Sequence, residues 1–154
     1  MKQQTKQPPM EKPASLRILQ YIIYLQAAYA AFFILLSFLF LWIPGDIGSA
    51  WGNFKANVLN AAFGIAPQEY NAMHVTYFSG IAGLTIVFLI ILTIGIKRQI
   101  FLLCVIMSIV IIVLNLGNPL VLALSALMVL LLIASPNARK YLNAGTVEKT
   151  GVKD

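Results

Sequence analysis

The sequence predicts an all-α integral membrane protein: a four-helix bundle of four spans, with an extracytoplasmic amphipathic helix lying in the interface between spans 1 and 2. Three observations predict it. Of 154 residues, 60% are hydrophobic and 10% charged, and a soluble domain of that composition would expose far too much apolar surface. The apolar residues are gathered into runs whose lengths approach a bilayer thickness. The basic residues stand at the ends of those runs, with Lys55 as the exception.

The net charge of +6 therefore reports topology, not a nucleic-acid partner. Lys2, Lys6, Lys12 and Arg17 precede the first run, Lys97 and Arg98 form a linker, and Arg139, Lys140, Lys149 and Lys153 follow the last run. With both termini and the Lys97-Arg98 linker cytoplasmic, ten of the eleven Lys/Arg lie inside, and the 44–75 loop and the 115–119 turn lie outside. The single cysteine, Cys104, sits inside an apolar run. It excludes an intrachain disulfide and any CxxC redox or zinc motif.

Residues 1–15, MKQQTKQPPMEKPAS, are polar and proline-rich, the composition of a disordered cytoplasmic N-terminus. The run that follows is too long for a cleaved signal peptide and lacks a well-placed small-residue cleavage site. The membrane domain is expected over 16–135. Ser15 is placed to cap a helix starting at Leu16. Span 1 covers about 18–43. From Phe32 to Leu41, the nine Phe, Leu and Ile residues favour insertion by about 3–5 kcal/mol together. Trp42 suits the far interface, and Pro44-Gly45 ends the helix.

The stretch WGNFKANVLNAAFGIAP, residues 51–67, follows. On a helical wheel Trp51, Phe54, Val58, Ala62 and Phe63 share one side, with Asn53, Asn57 and Asn60 opposite. Asp46 or Ser49 can cap its start, Gly64 can close it, and Pro67 prevents continuation. A helix over about 50–63 is too short to span and fits an interfacial position. Lys55 falls in the apolar arc and must snorkel. Two readings stand: a structural lid, or a surface contacting a partner or ligand through Trp51, Asn53 and Asn57.

Span 2 covers about 76–96, its helix expected to start at Pro67 with Glu69 in the first turn. Tyr70, His74, Tyr77 and Phe78 then share a face. His74 is the only histidine. With Glu69 alone nearby it makes a poor metal site, and no nucleophile with a base and an orienting group is visible. These residues form either an interfacial belt or a ligand, quinone-headgroup or pH-sensing site. Spans 3 and 4 cover 99–114 and 119–134. Sixteen residues make about 24 Å of helix, short of a core about 30 Å thick, so flanking basic residues must snorkel and the bilayer thin locally. Asn115-Leu-Gly-Asn-Pro119 breaks the two runs into a hairpin. Ser135-Pro136 can cap a further short helix in the cytoplasmic tail, 136–154.

No Asp, Glu, Lys, Arg or His lies within the spans. Ion-coupled transporters and pumps place such residues at membrane depth, and the small four-span multidrug transporters need a glutamate in their first helix. Gln26 is the deepest strong polar group and is expected to bond another helix. Ala27/Ala31 and Ser79/Gly83 are small-xxx-small pairs that allow close packing.

The long first outer loop, the basic dipeptide before span 3, and a last span ending in Ser135-Pro136-Asn-Ala-Arg139 resemble small, uncharacterised bacterial four-span membrane proteins. The chain departs from that type in lacking a tryptophan after Lys97-Arg98. The resemblance implies a bacterial cytoplasmic membrane and carries no catalytic residues or cofactor. The leading expectation is a non-enzymatic accessory, regulatory or immunity-type protein that packs against a membrane-protein partner or a second copy of itself, surrounded by membrane lipids. The alternative is a transport or lipophilic-ligand-binding protein with its site under the outer helix.

Overall fold

The structure, a computed structural model, describes residues 12–150 apart from Ile47, and the side chains of residues 62, 63 and 145–150 fall outside the description. Helix makes up 82% of the described residues, and none of them is in a strand. The helices are α1 (Ala14–Trp42), α2 (Ala50–Phe63), α3 (Ala72–Lys97), α4 (Phe101–Leu114), α5 (Pro119–Ala134) and α6 (Pro136–Thr150). α1 and α3 are long and apolar enough to cross a membrane. α5 with the start of α6 makes a third candidate, bent by 78° at its break, and α4 is shorter.

Local chemistry sets most of the ends. Ser49 caps α2, its Oγ accepting from the Gly52 amide at 2.9 Å. Gly64 closes α2 with φ 63°, the left-handed conformation that glycine adopts without a Cβ penalty. Gly52 itself must lack a side chain, because a Cβ there would stand 2.2 Å from the Asp46 carbonyl oxygen. Asn118 caps α5, accepting from the Val121 amide at 3.2 Å, with Pro119 as the first helical residue. The Ala138 amide donates to Ser135 Oγ at 3.3 Å, so Ser135 opens α6.

Several details differ from expectation. α1 starts at Ala14 behind Pro13, with no side-chain cap. Ser15 lies inside the first turn and its hydroxyl meets that of Ser135 at 2.9 Å, tying the start of α1 to the α5–α6 junction. α3 starts at Ala72, not at Pro67. Residues 67–69 form a turn, and Asn71 is the cap, its Oδ1 accepting from the Met73 and His74 amides at 2.9 and 3.4 Å. An asparagine side chain satisfies two orphan amides there, which Pro67 has no group to do. Gly83 has nothing within 4 Å of a built Cβ and Ala31 is exposed, so those halves of the two small-residue pairs make no close packing. A tight approach occurs instead at Gly95, where a Cβ would meet Cys104 Sγ at 3.0 Å. The expected disorder of 1–15 concerns mostly residues 1–11, outside the described residues, as is the side chain of Phe63; Phe54, on the same expected apolar side of α2, is 45% exposed while its ring meets Phe40 at 6.0 Å.

Packing runs in a circuit: α1 lies on α3 and α5, α3 on α4, and α4 on α5, with α6 folded back on α5 and α4. Two separate apolar clusters result. One joins Leu16, Leu19, Leu92, Ile96, Cys104, Met128 and Leu132 to Ala138 and Leu142 of α6. Lys12 approaches this same end, where burial first, then the nearby Lys97 and Arg17 charges, push its pKa below the ordinary lysine value. The other cluster, Phe40, Leu59, Tyr70 and Val75, joins the far ends of α1 and α3 to α2 and the loop after it.

Helix length explains the two storeys. α1 with 29 residues and α3 with 26 reach about 43 and 39 Å. α4 with 14 and α5 with 16 reach only about 21 and 24 Å. All four share the end that carries α6, so the α4–α5 turn meets α1 and α3 near their middles. Beyond it α1 and α3 continue together, with α2 docked at their tips.

Candidate functional site

Where the short hairpin stops, a cavity of about 580 Å³ opens. α1 contributes Gln26, Tyr29, Ala30 and Phe33, and α3 contributes Tyr77, Phe78, Ile81, Ala82 and Thr85. Asn115, Gly117, Asn118 and Val121 line it from the hairpin, and Ala61 from α2. That volume lies within the ~300–1,000 Å³ range of small-molecule sites. No charged side chain among the described residues lines it.

Its polar groups form a connected set. Gln26, 1% exposed, donates through Nε2 to the Val121 carbonyl at 3.3 Å and to Ser125 Oγ at 3.0 Å. The Val121 carbonyl can only accept, which fixes Nε2 toward α5. Gln26 Oε1 is left buried, with no hydrogen-bond partner among the described residues. Asn118 Nδ2 donates to the Tyr29 hydroxyl oxygen at 3.2 Å, so the tyrosine proton is free to point elsewhere. Asn115 Nδ2 donates to Thr85 Oγ1 at 3.0 Å and to the Ile111 carbonyl at 2.9 Å, while Thr85 Oγ1 donates to the Ile81 carbonyl. The amide donors of Gln26, Asn115 and Asn118 thus hold helices together, while Gln26 Oε1 remains as an acceptor and the Tyr29 hydroxyl as a donor.

An aromatic series leads from the cavity to the outer loop. Tyr29 stacks on Phe33 at 6.0 Å, Phe33 meets Phe78 edge-on at 6.4 Å, Phe78 stacks on His74 at 6.3 Å, and His74 on Tyr70 at 5.9 Å. Asn71 Oδ1 lies 3.1 Å from His74 Nδ1. The oxygen accepts only, so Nδ1 carries the proton in this contact. Tyr70 donates to the Ser37 carbonyl at 3.1 Å. Burial raises its pKa above the ordinary tyrosine value, partly offset by the nearby Ser37 side chain.

Of the residues singled out from the sequence, Gln26 and Tyr77 line the cavity, and His74 and Tyr70 connect to it through Phe78. The others stand apart. Trp51 packs edge-on against Phe40 at 5.6 Å and donates from Nε1 to the Ile43 carbonyl at 3.3 Å, anchoring α2 to the end of α1. Asn57 and Glu69 line a separate groove of about 410 Å³ with Asn60, Gly64 and Pro67. Asn53 is exposed. Sequence reasoning missed Tyr29, Asn115 and Asn118. Their signal was available: Tyr29 follows Gln26 by one helical turn, and the two asparagines lie in the turn that joins two short apolar runs. No protein-family model, curated protein or solved structure matches the chain.

Proposed function

We propose that this is a non-catalytic integral membrane protein that binds a lipophilic ligand in the cavity beneath α2. In this reading α1, α3, α4 and α5 are four spans with both termini cytoplasmic, α2 is an interfacial helix on the outer side, and the membrane is a bacterial cytoplasmic one. The observation that carries the reading is the 580 Å³ cavity itself, which is neutral, largely aromatic and aliphatic, and furnished with a few convergent polar groups. The approach of Lys12 to Lys97 and Arg17 supports a common cytoplasmic face for the N-terminus and the α3–α4 linker. The cavity then lies at the depth of the outer leaflet, open to molecules dissolved in the bilayer.

Ala61 and Leu120 line the cavity and are themselves exposed, so Ala61→Trp and Leu120→Trp fill it from its rim without disturbing the core. Native mass spectrometry of protein released from nanodiscs should find a bound molecule of defined mass in the wild type and lose it in both variants at unchanged thermal stability. Absence of any bound molecule, or retention in both variants, refutes the reading. Packing against a membrane partner or a second copy is the second reading. It is favoured by the outer halves of α1 and α3, which rise beyond the hairpin and expose Trp42 by 78% and Met73 by 81%.

A further inference from the structure

We infer that the cavity selects an uncharged amphiphile whose head is a hydroxyl group, held between Gln26 Oε1 as acceptor and the Tyr29 hydroxyl as donor. This rests on the ligand-binding reading above and narrows it to a chemical class.

Three observations lead to the class. The first is the orphan acceptor. Gln26 is 1% exposed and its Oε1 has no partner among the described residues, a state that native structures seldom leave uncompensated. Its orientation is held by two bonds from Nε2 to α5, so Oε1 cannot turn away to relieve itself. A ligand that takes the place of water there brings a donor. The second is the tyrosine. The Tyr29 oxygen already accepts from Asn118 Nδ2, so what it offers a ligand is its proton. Gln26 and Tyr29 stand one turn apart on the same face of α1, and both line the cavity. A head that donates to one and accepts from the other is satisfied on both sides. A hydroxyl does this with one atom, whereas an ether, ester or quinone oxygen accepts only. The third is the absence of charge in the lining among the described residues. A phosphate or ammonium head would lose its hydration with no counterion to replace it, a cost too large for such a site.

Volume limits the body of the ligand. At about 30 Å³ for each water-sized group, 580 Å³ holds roughly twenty non-hydrogen atoms. A single apolar chain or a short isoprenoid fits, and a two-chain phospholipid does not. Phe33, Phe78 and Ile81 supply the apolar walls for such a chain.

Farnesol and its methyl ether form a matched probe pair, with nearly equal apolar volume and only the alcohol able to donate. Competition binding to the wild-type protein in nanodiscs, read by native mass spectrometry, should favour the alcohol by about tenfold, the scale of one buried hydrogen bond. The Gln26→Met variant keeps the side-chain volume and removes the acceptor, and should bring the two probes within about twofold. Because Gln26→Met also removes the bonds to α5, Tyr29→Phe provides a second variant, which should weaken the alcohol without improving the ether. Equal binding of alcohol and ether by the wild type overturns the hydroxyl assignment, since a retained water would then be satisfying Oε1, while the cavity reading stands. Binding of neither probe, or binding unaffected by Ala61→Trp, overturns the cavity reading itself.

Discussion

Phe40→Ala should release α2 while leaving the inner half of the protein closed. Phe40 is 2% exposed and its ring meets Trp51 at 5.6 Å, Phe54 at 6.0 Å and Tyr70 at 6.3 Å. Truncating a buried phenylalanine costs about 3–5 kcal/mol, and each lost ring pair contributes roughly 0.5–1.5 of it. α2 has little else to hold it. Leu59 is its one fully buried side chain among those described, with Trp51 and Val58 partly buried beside it. A helix of 14 residues is marginal by itself in water. A loss of about 3 kcal/mol corresponds to roughly a hundredfold rise in the open population, at about 1.4 kcal/mol per decade. Hydrogen exchange in nanodiscs should therefore accelerate about a hundredfold across residues 50–71 and remain unchanged across 101–134, because local opening reports local contacts. Leu142→Ala, at the opposite end of the molecule, should give the reverse pattern. Equal acceleration in α4 and α5 of the Phe40 variant would show that the two apolar clusters melt as one, and the two-storey account would fail.

Tyr70→Phe should cost about 1 kcal/mol by deleting the bond to the Ser37 carbonyl. It should also alter the alkaline limb of stability. Above the unfolded tyrosine value near 10, the unfolded chain has shed the proton and the folded chain retains it, so the wild type loses stability as pH rises through the raised folded pKa. Thermal midpoints at pH 8 and pH 11 should diverge less in Tyr70→Phe, and an identical alkaline loss would remove Tyr70 as the cause. Phe54→Asp should destabilise by at least about 1 kcal/mol but by less than the roughly 2.5–3.5 of a mid-membrane site, whereas Asn57→Asp, on the exposed side, should stay within about 0.5. Bilayer-depth quenching that found position 57 deeper than position 54 would contradict the interfacial placement of α2.

The helices were legible because their signals are local. Ser49, Gly64, Asn118 and Pro119 act as caps and stops within a few residues of where they stand, and apolar periodicity needs no knowledge of the rest of the chain. Competition between two local signals was harder. Pro67 and Asn71 are both acceptable starts for α3, and only the backbone shows that the asparagine takes the role while 67–69 turns. Ser15 illustrates another limit. No neighbour in sequence reveals the role of its hydroxyl, because its partner Ser135 is 120 residues away. The same distance in sequence hid the cavity: Tyr29 and Asn118 are separated by 89 residues, and Gln26 and Ser125 by 99. A single sequence names the polar residues that need partners and cannot pair them.

One consequence of the length mismatch was nevertheless within reach of the sequence. A hairpin of two runs near 24 Å beside helices near 40 Å must place its turn inside the bilayer if all share one face. Non-helical backbone at that depth is tolerated only when protein covers it or a polar cavity bathes it. Asn115 and Asn118 supply part of the cover by bonding Thr85 and Tyr29. They do so with their amide donors, and Gln26 spends its own donors in the same way on Val121 and Ser125. An amide that braces two helices through its nitrogen needs a separate partner for its oxygen, which Asn118 finds in the Val121 amide. Gln26 Oε1 is the one such oxygen left fully buried and unbonded among the described residues, and it faces no charge that would complete it. The bracing of a short hairpin against longer helices thus creates both the space and the unmet acceptor that a hydroxyl-bearing ligand would fill.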